Sequence, residues 1–248
     1  MYIKRWLNAP VRLQSGELIV KQGKGTPQGG VISPLLANLF LHYALDRWLE
    51  QTHKGVEYVR YADDVIIHCH TQSQTNQLLQ SIKRRLENCG LELHPEKTKL
   101  VYCRDIRRQG KHECVKFDFL GYSFQPRTTM SKKTKKLFLG YDCAISISSK
   151  KRIADKLEAL DIVNMNYKRL VGVAQHLAPY IRGWINYYGK FRLSAMNPVF
   201  QLLRKRLVRW ARKRYKRYKT SINRAYKWLE RVRKQYPSLF YHWQLGYS

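Results

Sequence analysis

Apolar residues in this chain recur with two different periods, and the change between them divides it. Around the turn Ser15-Gly16-Glu17, residues 11–14 and 18–22 alternate as two short strands. Leu35, Leu36, Leu39, Phe40, Tyr43 and Ala44 then fall on one helical face. They predict a helix from Ser33, as its cap, through Pro34 in the first turn to about Glu50. Two strands rich in Val, Ile and Tyr, 57–62 and 65–69, join at Asp63-Asp64. A helix from about Gln74 turns Leu78, Leu79, Ile82 and Leu86 inward and stops at Gly90. Extended residues 91–93, a turn at His94-Pro95 and a strand–turn–strand over 117–124 pivoting at Gly121 follow. Residues 125–136, polar, basic and rich in breakers, predict a flexible connection before one more strand, 137–147.

Beyond that strand only the helical period remains. One helix begins after Ser149, with Ile153, Leu157 and Leu160 on a face. Others cover roughly 167–188, the stretch from Asn197-Pro198 past Trp210, and 221–235. The fold class is therefore α+β, with an α+β part, 1–147, preceding an all-α part, 148–248. No internal repeat is visible.

Composition adds a partner class. The 248 residues carry 47 Lys and Arg against 17 acids, a net charge of +30. The charge is uneven: residues 1–100 hold 13 basic and 9 acidic groups, whereas 101–248 hold 34 and 8. Such a surface repels itself and calls for a polyanion, concentrated on the second half. Between residues 203 and 219, ten of seventeen positions are Lys or Arg and none is acidic. The group includes Arg204, Lys205, Arg206, Arg209, Arg212, Lys213 and Arg214, a pattern that points to a phosphate backbone. Upstream, Ile181, Trp184, Ile185 and Tyr188 share a core-facing spacing. Arg182, Tyr187 and Lys190 face elsewhere, placed to touch phosphate or stack on a base. Charge alone does not separate RNA from DNA or from an anionic membrane. No apolar run is long enough to span a bilayer and no secretion signal opens the chain, so a cytoplasmic protein with no membrane role is expected. The five cysteines form no CxxC pair and read as reduced thiols.

Two features bear on chemistry. Asp63 and Asp64 stand side by side where two stiff strands meet. Adjacent like charges there bring no structural gain, while rigid, converging carboxylates are what Mg²⁺ takes as ligands. An aspartate pair is also a common solvated turn, and the pair alone does not choose. Gly25-Thr26-Pro27-Gln28-Gly29-Gly30 lies just before a helix start, where exposed amides suit a phosphate or nucleic-acid backbone. By itself it is equally an ordinary tight loop.

Taken in order, GTPQGGVISPLLANLFL, RYADDVII, GLELHPEKTKL and FDFLGYSF resemble the later palm motifs of reverse transcriptases, and most closely those encoded by group II introns. The stretch APYIRGWINYYGKF, residues 178–191, resembles the maturase, or thumb, region of the same family. The resemblance covers nearly the whole chain. It implies part of a right-hand polymerase palm followed by an all-α basic thumb/maturase domain that binds intron RNA to assist splicing. When complete, such an enzyme copies an RNA template from a DNA primer by nucleotidyl transfer with two Mg²⁺ ions. It implies Asp63 as ligand of both metals, Asp64 as a second carboxylate, and Lys97 as an aid to pyrophosphate departure. It places Tyr61 and Ala62 at the primer end and nucleotide pocket, Gln28 and Gly29 at the template–nucleotide pair, and Gly121 and Tyr122 at the primer. The family's first metal-binding aspartate lies well upstream of the glycine loop, whereas here the only acid before Thr26 is Glu17. A truncated or split form is therefore expected, inactive as a polymerase when alone and completed by a separate N-terminal half. The alternatives are a non-catalytic splicing cofactor and a relic fragment.

Overall fold

The computed structural model describes residues 2–12, 15–19, 30–107, 110–131 and 133–247. The chain forms two compact units, Met1–Leu100 and Val101–Ser248. The first unit opens with helix α1 (Tyr2–Asn8) and the strands β1 (Val11–Arg12) and β2 (Leu18–Ile19), paired antiparallel with Val11 opposite Ile19. The remainder of both predicted strands, and the glycine loop with Gln28 and Gly29, lie outside the described residues.

A long helical run follows as α2 (Ser33–Leu41), a π-helical turn (His42–Asp46) and α3 (Arg47–Thr52). Two expectations are corrected here. Ile32, not Ser33, takes the N-cap position, and Ser33 is the first helical residue with its N–H on the Gly30 carbonyl. Of the six residues expected to face inward, only Ala44 is buried; Leu35, Leu39, Phe40 and Tyr43 are exposed and Leu36 is half-buried. No residue of α2 is buried, and the inward face begins only at the π-helical turn, where the Arg47 N–H bonds the His42 carbonyl and Ala44 and Leu45, with Leu49 of α3, turn inward.

Strands β3 (Glu57–Tyr61) and β4 (Asp64–His68) pair as an antiparallel hairpin. Helix α4 (Gln72–Asn88) begins two residues earlier than expected. The Thr71 hydroxyl caps it by accepting from the Gln74 N–H at 3.1 Å. It ends at Gly90, whose φ of +74° lets the Leu91 N–H turn back to the Leu86 carbonyl. Leu45 and Leu49 meet Leu78, Ile82 and Leu86 of α4, with Tyr58, Val65 and Ile67 of the hairpin packed against them. One sheet face and one helix stripe thus make this unit's core.

The second unit holds a three-stranded antiparallel sheet in the order β5 (Phe117–Phe119), β6 (Tyr122–Met130), β7 (Leu137–Ile145). This overturns the flexible connection expected over 125–136. Residues 125–130 belong to β6 and pair with β7, from Gln125 opposite Asp142 to Met130 opposite Leu137. Pro126 is tolerated because β5's last pair, Phe117 with Phe124, leaves that edge of β6 open. Helix α5 (Ile147–Ala159) starts directly after β7 and earlier than expected, capped by Ser146, whose hydroxyl accepts from the Ser149 N–H at 3.1 Å. Helices α6 (Leu170–Arg192), α7 (Asn197–Arg214), α8 (Ile222–Gln235) and α9 (Tyr241–Gln244) complete the unit. Leu157, Ile162, Leu177, Ile181, Leu207 and Trp210 form its fully enclosed centre. The Trp210 indole N–H donates to the Met165 carbonyl at 3.0 Å, so the buried ring has no orphaned donor. The change from strand to helix, expected at 147/148, occurs at Ser146 between β7 and α5 and falls inside this unit. Among the described residues no helix is long and apolar enough to cross a membrane.

Candidate active site and nucleic-acid interface

The β3–β4 hairpin closes with Tyr61 opposite Asp64, leaving Ala62 and Asp63 as a two-residue turn. Asp64 is therefore the first residue of β4, not part of the turn as expected. Ala62 sits at φ +55°, a conformation that costs an L residue roughly 1–2 kcal/mol. Arg60 holds it there. Its Nη1 donates to the Ala62 carbonyl and to Asn38 Oδ1, both at 2.9 Å. Its Nε and Nη2 donate to the two Asp46 carboxylate oxygens at 2.8 and 2.6 Å. Asp46 is only 9 % exposed and stands at the end of the π-helical turn, with His42 Nδ1 3.5 Å from Oδ2, the oxygen that Arg60 Nη2 also contacts. Burial pushes the Asp46 carboxyl up, but the Arg60 hydrogen bonds and charge, with His42, outweigh it and hold the group below its ordinary value. The bidentate pair is thus a charged joint between helix and hairpin.

That joint leaves the front of the turn free. Tyr61, Ala62, Asp63 and Asp64 are all exposed, with Tyr61 at 63 %. The strands behind them are fixed by Tyr58 and Val65 in the core. Two adjacent carboxylates on a rigid tip can accept a divalent cation or hydrogen-bond donors. Among the described residues no three His, Cys, Asp or Glu side chains converge. Lys97 lies in the turn after Pro95, exposed, with no side-chain hydrogen bond or ion pair.

Gly121 and Tyr122 occupy a different setting. The β5–β6 turn, Leu120-Gly121, has φ of +49° and +78°, the pattern of a tight hairpin with two left-handed residues. A Cβ at Gly121 would lie 2.8 Å from Ser149 Oγ and 3.2 Å from the Tyr188 ring. The Gly121 carbonyl accepts from the Ser146 N–H and the Ser149 hydroxyl, each at 3.0 Å. The Leu120 carbonyl accepts from the Tyr187 hydroxyl at 2.8 Å, and the buried Tyr122 hydroxyl donates to the Tyr187 carbonyl. Tyr187, expected to face nucleic acid, thus uses its hydroxyl within the unit.

The basic run also divides. Arg204 and Arg206 pair with Glu230 and Glu158 at 3.7 and 3.6 Å. Arg212 donates to the Lys219 carbonyl at 3.0 Å, and Lys213 to Asn164. Lys205, Arg209 and Arg214 are exposed and make no side-chain hydrogen bond or ion pair among the described residues. Arg182 and Lys190 are exposed, their cations over the Tyr241 and Phe191 rings at 5.8 and 6.0 Å. The acids that the run lacks in sequence come from neighbouring helices in space. Sequence reasoning missed Arg60, Asp46 and Asn38. The signal available was an arginine at the strand position that alternates inward with Tyr58.

The chain belongs to the reverse transcriptase (RNA-dependent DNA polymerase) family, whose profile matches residues 1–124, half of its length. The group II intron maturase-specific domain matches residues 150–231. Together the two matches make this a group II intron reverse transcriptase/maturase, a protein that binds RNA as template and intron. A search of curated proteins finds no match.

Proposed function

We propose that the β3–β4 tip is the metal-binding edge of the polymerase palm, with Asp63 as the principal Mg²⁺ ligand and Asp64 as the second carboxylate. The observation that carries this is the exposed carboxylate pair on a turn held from behind by Arg60. The pair fits the ion, because Mg²⁺ is commonly held by one or two carboxylates together with substrate phosphates. When bound, two such ions activate the attacking primer hydroxyl and stabilise the departing pyrophosphate. The chain's own residues do the positioning. Tyr61 and Ala62 border the nucleotide, with Gln28 and Gly29 assigned to the template–nucleotide pair. Lys97, a free cation, supplies charge to the leaving group. The rigid Leu120-Gly121 turn, with Tyr122 beneath it, sets the level of the primer strand. On this reading residues 1–147 work as palm and 148–248 as a helical thumb/maturase domain. Its unpaired cations, among them Lys205, Arg209 and Arg214, meet the intron RNA backbone.

The test is Mn²⁺ binding to the chain with a primer–template duplex, followed by electron paramagnetic resonance. Asp63→Asn keeps the side chain's size and removes its charge, so a large loss of bound Mn²⁺ is expected with folding unchanged. Binding equal to the parent's would reduce the hairpin to a scaffold and favour a splicing cofactor without chemistry.

A further inference from the structure

We infer that the exposed face of α8 is a docking surface for the phosphate backbone of double-helical RNA. Arg224, Lys227, Arg231 and Lys234 recur at i, i+3, i+7 and i+10. At 3.6 residues per turn they fall within an arc of about 80°, along about 15 Å of helix. All four are exposed, and among the described residues none makes a side-chain hydrogen bond or ion pair. The helix's one acid, Glu230, is taken up by Arg204 and by Arg233, the latter at 2.6 Å. This contrasts with α7, where four of the seven cations expected to bind nucleic acid have partners within the unit.

The chemistry selects the occupant. An interfacial membrane helix needs an apolar face turned to lipid, but that face of α8 is closed, with Ala225 and Leu229 buried in the core. Single-strand binders supply aromatic platforms on which bases stack. The α8 aromatics Tyr226 and Trp228 are partly buried against the core, and the cationic arc carries none. What remains is a row of charges without stacking groups, suited to phosphates in the regular spacing of a duplex and indifferent to sequence.

The inference rests on the RNA-binding reading above, and its experiment separates the two. The 248-residue chain is titrated with a mixed-sequence RNA hairpin, an unstructured oligouridine and phosphatidylserine vesicles across a salt series. A variant with Arg224, Lys227, Arg231 and Lys234 all replaced by Gln keeps good helix formers on α8. Its log–log salt slope for the hairpin should become shallower by about 3, one unit or slightly less per lost contact. A control of equal charge, with Lys133, Lys136, Lys151 and Lys168 replaced by Gln, should change the slope by less than half as much. Should the α8 variant melt early, Arg231→Glu alone is read instead and should lower the slope by about 1. Equal losses in both quadruple variants would show that net charge, not α8, binds. A loss confined to oligouridine or to vesicles would also overturn the inference. Tight hairpin binding that survives in the α8 variant sinks the α8 surface alone. A parent chain that binds no RNA sinks the function with it.

Discussion

The β3–β4 and β5–β6 hairpins share a two-residue loop and an L residue at positive φ, Ala62 in one and Leu120 in the other. They are stabilised in opposite ways. The first is gripped from behind by one arginine and shows four consecutive exposed residues. The second is covered, with both turn carbonyls accepting bonds from α5 and α6 and no room for a methyl group at Gly121. Strain held by a single charged joint leaves side chains free for ligands. Strain held by close packing makes a fixed joint instead. Two-residue loops, with one left-handed residue in the first hairpin and two in the second, thus leave side chains exposed in one unit and form a fixed joint in the other.

The largest expected effect comes from removing the single joint. Arg60→Met strips the partner from a carboxylate that is nearly buried, which costs about 3–5 kcal/mol. Urea unfolding of the first unit should show it, and a cost under about 1 kcal/mol would mean that the hairpin is held otherwise. Gly121→Ala tests the packed turn. Positive φ and the 2.8 Å approach of Ser149 Oγ together predict a loss of about 2–3 kcal/mol in the second unit.

Acid should then separate the units. His242, stacked on Phe200 at 5.2 Å with Nδ1 unpartnered, is pushed down to about 3 from an ordinary 6.5, by burial first and the Arg233 charge second. The neutral ring is the folded form. Its contribution is complete above pH 6.5 and is lost as pH falls from there toward 3, about 2 kcal/mol by pH 5. Asp46 is lowered below its ordinary 3.8, so the first unit keeps that contribution until pH falls below about 4. Circular dichroism melts between pH 7 and 5 should show the second unit weakening first, and His242→Phe should flatten that dependence. The smallest effect is Tyr187→Phe, which removes one hydrogen bond to the Leu120 carbonyl and should cost about 1 kcal/mol in thermal unfolding. No measurable change would assign the β5–β6 turn's rigidity to Gly121 packing alone.

Periodicity located most elements well. The β3–β4 hairpin, α4 with Leu78, Ile82 and Leu86 buried, and the four long helices of the second unit all stand within a few residues of where the spacing put them. The π-helical turn escaped because no residue type announces an added residue in a helix, and the spacing of Leu35, Leu39 and Phe40 could not register that α2 buries nothing. The first residues of β6 were expected, but its extension past Phe124 escaped because Gln125 to Met130 reads as polar and breaker-rich until β7 is there to pair with it.

For the site, the motifs alone were enough to assign the chain to its family and to single out Asp63 and Asp64, whose metal-binding role is the proposal made above. Short-range order and residue type carry that information, since Asp63 in the turn and Asp64 at the start of β4 are placed by the flanking strands. What holds the turn was decided only in three dimensions. Arg60 reaches Asp46, fourteen residues away, and Asn38, twenty-two away. The fate of the basic run was likewise tertiary. Glu158 and Glu230 arrive from other helices to neutralise Arg206 and Arg204, while Arg224, Lys227, Arg231 and Lys234 of α8 meet no acid among the described residues. A charge's sign is written in the sequence, but whether it is available depends on which neighbours folding brings within a few ångströms.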